Sequence, residues 1–411
     1  MHSAEFTDHF TNVKPLAYHT DIHDFLRGSD PDVWKWLSSH HASAKHAEDV
    51  RFELLKSTYR IERDSQPELY QTAEEVANRF GINAPITIYQ TQSPQGLNAS
   101  LAYVPGEVHL VLHGPITSQL TPLEVRGLFA HELAHFVLWS IDQGAYLTTN
   151  EMLVALISDA KAHSAHFASW RLFGLYTEIY CDRAALAVTQ DIGAVVSMLV
   201  KVGTGISEVQ ADSYLRQADE VFTHGDASSK GVTHPEAFIR ARAIRLWGEA
   251  HADTESLIKQ MIEGTPEMDE LDLLEQTRVF TLTRRILDAL LCRKWFQTDL
   301  VLAHARLYFE DYSPPSDPLR DTALAKEIRI EPASLCEYYC FLLLDFITAD
   351  RELEEPPLAA ALQLAEELGI KPKLMELVRR ELKLRKNQLD RVDKNKETIL
   401  AEIERTATAM S

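Results

Sequence analysis

Long apolar runs are missing from this sequence. Apolar stretches such as residues 152–157 and 341–344 are far shorter than the roughly 18 residues that a transmembrane helix needs. The first residues also have neither the basic nor the apolar segment of a secretory signal. We therefore expect a soluble, cytoplasmic protein without a transmembrane segment.

Positive charge is scarce relative to negative charge. The 411 residues include 41 Lys and Arg against 61 Asp and Glu, which leaves a formal charge of −20. Such a chain repels phosphate backbones. We therefore expect no nucleic acid among its partners.

Cysteine is also rare. The four cysteines are scattered, and none forms a C-x-x-C pair. This usage is typical of buried thiols in a reducing compartment rather than of disulfides or a cysteine zinc site. With 45% apolar residues, the composition is that of a globular protein of two or three domains.

The pattern of apolar residues predicts an α+β protein that is mostly helical. Strand-like runs occur at 86–89, 101–104 and 108–112, the last two joined by the turn dipeptide Pro105-Gly106. An amphipathic helix at 66–80 precedes them, and nearly every segment after Thr121 has helical periodicity. With a proline-rich break at 313–318, we predict these segments: a helical lead-in (1–65), a mixed domain (66–250), a helical connector (251–312) and a helical domain (319–411).

One helix carries two histidines four residues apart. Thr121 as N-cap, Pro122 at the first position and Glu124 three residues after the cap form the sequence signature of a helix start. His131 and His135 then project from one face and can share one Zn²⁺, with Glu132 beside them to move protons. The flanking residues are apolar, which predicts a buried helix. Burying these polar side chains without a partner would cost free energy.

A catalytic zinc site needs a third protein ligand, and Glu178 is the best candidate. It lies in a helix predicted for 172–188, and Asp182 follows four residues later on the same face. One carboxylate can bind the metal while the other accepts the free N–H of a ligand histidine. The alternative is a surface carboxylate pair. His163 and His166 are expected at the exposed start of this helix, outside the site.

Three blocks of the sequence resemble the M48 peptidases, a gluzincin family of zinc metallopeptidases. The blocks are His131-Glu132-x-x-His135, residues 178–184, and Thr233-His234-Pro235 followed by Arg240. The sequence departs from the family at Cys181, where alanine is usual.

The resemblance implies a gluzincin-type domain at 66–250, with a small β-sheet beside the H-E-x-x-H helix. It also implies a zinc metalloendopeptidase that cleaves peptides or unfolded proteins, in quality control or a stress response. His234 would donate to the developing oxyanion, or else simply begin a helix with Pro235. Arg240 would make a structural contact with a carboxylate.

Two further predictions concern regions outside the three blocks. The run 108–112 is either an edge strand that pairs with an extended peptide or a routine sheet strand, and we expect His109 and His113 in solvent. The domain 319–411 resembles helical domains of the tellurite-resistance TerB type, or it is a generic helical bundle. A protein partner could bind there, where residues 371–396 carry a net charge of +6 (10 basic minus 4 acidic residues).

The second function class is a scaffold. In that interpretation the chain keeps a zinc-bound, peptidase-like fold and serves as an interaction protein whose hydrolysis is latent or lost. The intact Glu132 favours the enzyme, because a scaffold has no use for a general base.

Overall fold

A four-stranded mixed sheet supports the region that holds the candidate site. The computed structural model describes residues 13–41, 44–92, 96–225, 227–315 and 321–410. The strands are β1 (Thr58–Arg60), β2 (Ile86–Thr91), β3 (Asn98–Val104) and β4 (Glu107–His113). Their order is β1-β2-β4-β3, with β2 and β4 parallel and the other pairs antiparallel. The three predicted strands are confirmed, whereas β1 lies in a segment predicted to be helical.

The run 108–112 is not an edge strand. It belongs to β4, which pairs with β2 on one side and with β3 on the other. The hairpin through Gly106, whose φ is +78°, places β3 beyond β4, so β3 forms the edge of the sheet. Alternation of side chains predicts a strand but does not predict its place in the sheet.

The prediction that His109 lies in solvent is wrong. Its side chain is buried, with the residue only 4% exposed, and its ring nitrogens lie 3.2 Å from Tyr89 Oη and 3.1 Å from Glu107 Oε2. A small cluster around Leu54 and Val111 covers this face of the sheet. His113 is half-buried, with Nε2 3.1 Å from Ser100 Oγ.

Helices account for most of the remaining first unit, which comprises residues 1–265 with 272–274. The predicted helix 66–80 is confirmed and ends before Gly81, whose φ is +68°. The helices of this unit, in chain order, are α1 (Ala17–Ser29), α2 (Pro31–His41), α3 (Ala44–Ser57), α4 (Pro67–Arg79), α5 (Ile116–Gln119), α6 (Pro122–Ser140), α7 (Ala145–Ser158), α8 (Ser164–Thr189), α9 (Ile192–Thr204), α10 (Ala211–Thr223), α11 (Ala237–Gly248) and α12 (Thr254–Glu263).

The second unit, residues 266–271 with 275–411, is helical throughout its described secondary structure. Its helices are α13 (Leu273–Leu291), α14 (Asp299–Tyr308), α15 (Thr322–Arg329), α16 (Ala333–Thr348), α17 (Pro356–Leu368), α18 (Lys371–Glu381) and α19 (Lys386–Met410). They enclose one apolar core. The TerB-like interpretation and a partner at this unit stay predictions.

These two units have different bounds from the four predicted segments. The predicted connector 251–312 is divided, because α12 packs into a core of the first unit while α13 packs mainly into the core of the second. Part of the predicted lead-in forms β1 of the sheet. Of the predicted break at 313–318, positions 316–318 lie outside the described residues. The bounds of independently folding domains stay a prediction.

The start of α6 is fixed by the predicted capping box. Glu124 N–H donates to Thr121 Oγ1 at 3.3 Å, and Thr121 N–H donates to Glu124 Oε2 at 2.7 Å. The Glu124 carboxylate also accepts from Lys201 Nζ at 2.8 Å and from Ser197 Oγ at 2.6 Å, both on α9. Both charged side chains are buried, so one carboxylate caps α6 and joins it to α9.

Removing one member of this buried ion pair should destabilise the first unit. Lys201→Met leaves Glu124 buried without its cation, and we expect the free energy of unfolding to fall by roughly 3 kcal/mol or more. Lys56→Met is the matched control, since Lys56 pairs with Glu53 at 2.8 Å on the exposed surface and such pairs contribute about 1 kcal/mol or less. The measurement is urea unfolding of the full chain, followed by tryptophan fluorescence and by circular dichroism.

The double variant Glu124→Gln/Lys201→Met separates charge from packing. Because it removes both charges, it should recover part of the unfolding free energy that Lys201→Met loses. If Lys201→Met and Lys56→Met lowered the free energy of unfolding equally, the buried pair would contribute no more to stability than an exposed one.

Candidate metal site and cleft

Helices α6 and α8 bring the predicted histidines and the predicted carboxylate together. His131 Nε2 lies 3.3 Å from Glu178 Oε2, and His135 Nε2 lies 3.7 Å from Glu178 Oε1. The two imidazole rings are 5.3 Å apart. Glu178 is therefore not a surface carboxylate: it faces both histidines from the middle of the buried helix α8.

One oxygen of the Glu178 carboxylate lies 3.3 Å from His131 Nε2 and 3.4 Å from Arg240 Nη2 without a well-aligned hydrogen bond. This atom, Oε2, is fully buried, and none of the described residues donates a well-aligned hydrogen bond to it. Leaving a buried carboxylate oxygen without a donor is costly. Two imidazole nitrogens and one carboxylate oxygen form a donor set that suits a catalytic Zn²⁺. The residues present therefore fit the metal that the sequence predicts.

Asp182 supports this group of side chains from behind. Its Oδ1 lies 3.1 Å from His131 Nδ1, and its two oxygens accept from Arg240 Nε at 2.7 Å and Nη2 at 2.6 Å. Arg240 Nη2 also lies 3.4 Å from Glu178 Oε2. Asp182 thus holds the His131 ring with Nε2 directed at Glu178, and Arg240 balances the charge of both carboxylates.

His234 lies beside the same carboxylate but faces solvent. Its Nε2 is 3.4 Å from Glu178 Oε1, and its side chain is 57% exposed. It comes just before α11, the helix that carries Arg240. His163 and His166 lie at the start of α8, and neither lines the cleft that contains the metal-site residues.

Sequence reasoning did not place Cys181 near the metal site. One ligand atom each from His131, His135 and Cys181 lies within 4.8 Å of the other two. The spacing of three residues from Glu178 on one helix was the signal that could have found it. Burial raises the pKa of the Cys181 thiol well above its usual value, which disfavours the thiolate that binds metal. Unlike Glu178, Cys181 does not line the cleft.

Burial and charge set the proton affinities at this site. Burial raises the pKa of Glu132 to about 8 and lowers the pKa of His135 to about 4. Burial also lowers the pKa of His131, but Asp182 and Glu178 outweigh it and raise that pKa to about 10. For Glu178, burial would raise the pKa, but His131 and Arg240 outweigh burial and hold that pKa below its usual range.

The site opens into a cleft of about 630 Å³. Glu132 lines it together with the histidines, Glu178 and Arg240. The edge strand β3 contributes residues 98–101 to another wall, and α9 contributes apolar side chains. A buried carboxylate beside a candidate metal site, in a cleft of this size, is the arrangement expected of a hydrolase.

A comparison of sequences relates residues 63–247 to a known family. The model of peptidase family M48 matches residues 63–247, a range that contains His131, His135, Glu178 and Arg240. Residues 63–247 form a peptidase family M48 domain. This confirms the resemblance seen in the sequence and the mostly helical α+β fold predicted for that region.

One curated relative is similar over about half of this chain. It is the plastoglobule-localized metallopeptidase 48, chloroplastic, of Arabidopsis thaliana, which is 28% identical over 218 residues. The alignment covers 49% of this chain and 62% of the relative. No solved structure matches the chain. Among the described helices, none combines the length and apolar character required to span a bilayer.

Replacing Asp182 tests the support of His131. Asp182→Asn removes the charge that orients the ring, and we expect zinc affinity to fall roughly 10- to 100-fold, as for other supporting carboxylates. Asp219→Asn is the matched control. Asp219, like Asp182, accepts hydrogen bonds from arginine, in this case from Arg242 and Arg245, but it lies outside the cleft. Zinc affinity is measured by competition with a chelator, and circular dichroism checks folding. Equal affinities in the two variants would exclude the support role.

Proposed function

We propose that the M48 domain is a zinc-dependent metalloendopeptidase that cleaves extended segments of protein chains. One observation carries this proposal: a buried carboxylate, one oxygen of which accepts no well-aligned hydrogen bond from the described residues, faces two imidazoles, next to Glu132, in a single cleft. Membership of family M48 supports a metallopeptidase. The metal, the ligand set and the substrate are our proposals.

His131, His135 and Glu178 would hold the zinc ion. When bound, Zn²⁺ supplies Lewis acidity that polarises a peptide carbonyl and acidifies water. Asp182 fixes the orientation of His131, and Arg240 holds Asp182 and neutralises charge. Arg240 is therefore a positioning residue in this proposal, as the sequence resemblance implied.

Glu132 would act as the general base and then as the general acid. Its carboxylate accepts a proton from the attacking water and donates that proton to the nitrogen of the leaving amine. Burial raises the pKa of this carboxyl group, and this moves its proton affinity towards the range in which one group can both accept and donate a proton near neutral pH. His234, exposed and adjacent to Glu178, would donate a hydrogen bond to the carbonyl oxygen as negative charge develops on it.

The edge strand β3 would bind the substrate backbone. Strand β3 pairs with β4 on one side only, and residues 98–101 line the cleft. An extended peptide can add to such an edge by main-chain hydrogen bonds. The sequence alone allowed this role for the run 108–112, beside the alternative of a routine sheet strand.

The scaffold alternative predicts a bound metal without turnover. Glu132 lies beside the candidate ligands and lines the cleft, and this placement favours the enzyme because a scaffold does not need a buried base there. The relative's name places that protein at plastoglobules. A cytoplasmic location and a role in quality control stay predictions for this chain.

Glu132→Gln should abolish hydrolysis while the zinc content is unchanged. The amide cannot accept the proton, and losing general acid–base catalysis lowers rates by roughly 10²- to 10⁴-fold. Glu208→Gln, at an exposed position after α9, is the control and should keep full activity. Casein hydrolysis and zinc analysis of the purified proteins are the measurements. Zinc-bound wild type without hydrolysis would favour the scaffold, and an active Glu132→Gln protein would refute the assignment of the base.

Glu178 and Cys181 can be distinguished as the third ligand. We expect Glu178→Ala to lose stoichiometric zinc, because it removes the carboxylate that faces both histidines. Cys181→Ala should keep zinc, since burial raises the pKa of its thiol and the residue does not line the cleft. Zinc content after dialysis, with circular dichroism as a folding control, gives the answer. The reverse result would make Cys181 the ligand.

A further inference from the structure

One wall of the cleft is apolar. It is formed by Leu128 of α6 and by Met198, Leu199 and Val202 of α9. The three α9 residues lie on one side of the helix, because Val202 is four positions after Met198 and three positions after Leu199. Leu128 lies one helical turn before Glu132 on α6, so this wall is adjacent to the group that we assign to proton transfer.

The wall offers no free charge to a ligand. Lys201 is the one charged residue in the sequence of α9, and its ammonium group is buried in the ion pair with Glu124. Arg240, across the cleft, is engaged by Asp182 and Glu178. An acidic side chain entering here would lose its hydration without gaining a partner, which is costly.

The residues that form this wall differ in how deeply they are buried. Met198 and Leu199 are buried and belong to the core of the first unit. Val202 is half-buried at the solvent side of the wall. Gly203 follows it, and a Cβ atom built there would meet no atom within 4 Å, so the mouth of this wall is open. Val202 is therefore the residue whose size limits what can enter.

We propose that this wall is a specificity subsite that receives an apolar side chain of the substrate residue next to the cleaved bond, and that Val202 sets its size. The inference rests on the proposed function and names the class of substrate segment: extended and apolar at that position, rather than acidic. Burying an apolar side chain against the wall stabilises the bound peptide, and charged side chains are excluded by desolvation.

Cleavage of a peptide library tests the subsite. Wild type, Val202→Ala, Val202→Phe and Val200→Ala are incubated with peptides of diverse sequence, and cut positions are identified by mass spectrometry. Val200→Ala is the matched control, because Val200 lies on the same helix but does not line the cleft. Wild type should prefer apolar over acidic residues by roughly tenfold or more at one position flanking the cut, as expected for apolar pockets.

The variants should shift this preference in opposite directions. Val202→Ala enlarges the subsite and should favour aromatic residues, whereas Val202→Phe fills it and should favour alanine and valine. Val200→Ala should leave the profile unchanged. Cleavage without an apolar preference, or with the same profile in every Val202 variant, overturns the subsite and leaves the peptidase proposal intact.

A binding measurement separates the two proposals. Zinc-loaded Glu132→Gln protein is titrated with a labelled serine-glycine peptide that carries one central leucine, or with the same peptide carrying aspartate. The leucine peptide should bind at least about tenfold more tightly, and Val202→Phe in the same background should remove the difference. Selective binding in a chain whose wild type never hydrolyses peptides would support the subsite and refute the peptidase. Equal binding, or no binding of either peptide, overturns the subsite.

Discussion

The structure around the cleft depends on the mutual compensation of charges that are buried between α6, α8 and α11. Glu178 and Asp182 are two carboxylates on the inner face of α8, and Arg240 is the one arginine or lysine among the described residues that contacts both. This leaves an excess of one negative charge next to two imidazoles. Both carboxylates favour a proton on His131, and in spite of burial they raise the pKa of this ring to about 10. A dication at the same place would replace that proton, since metal binding requires the neutral imidazole.

Helices α6 and α9 are also joined by a structural contact that is separate from the chemistry. Glu124 closes the capping box at the start of α6 and, through Lys201 and Ser197, joins α6 to α9. Ser197 and Lys201 are four residues apart and occupy one face of α9, whereas Met198 and Val202, also four apart, occupy the neighbouring face along the cleft. The contact that fixes the position of α9 thus also fixes the apolar wall beside Glu132.

The features predicted from the sequence are those encoded by local spacing. The cap at Thr121, the pair His131 and His135, and the turn after Glu178 that places Asp182 on the same face all follow from helical periodicity. The missed features are non-local. The burial of His109, the ion pair between Glu124 and Lys201, and the role of β1 in the sheet depend on which segments meet in space, and a single sequence does not encode this in any short pattern. Cys181 is an intermediate case, because its position on α8 was evident but its distance to α6 was not.

The position of β3 shows how such a non-local feature decides function. Strands β3 and β4 belong to one hairpin, and alternation of side chains describes both equally well. The parallel pairing of β2 with β4 covers one edge of the hairpin and leaves β3 as the edge. Residues 98–101 of β3 line the cleft, so the strand that can accept a peptide backbone is also the strand next to Glu132. A substrate held there would have polar, charge-compensated side chains of α8 and α11 on one side and the apolar wall of α9 on the other. In the proposed function, backbone pairing would provide affinity for any extended chain, and the contrast between the two sides would provide selectivity.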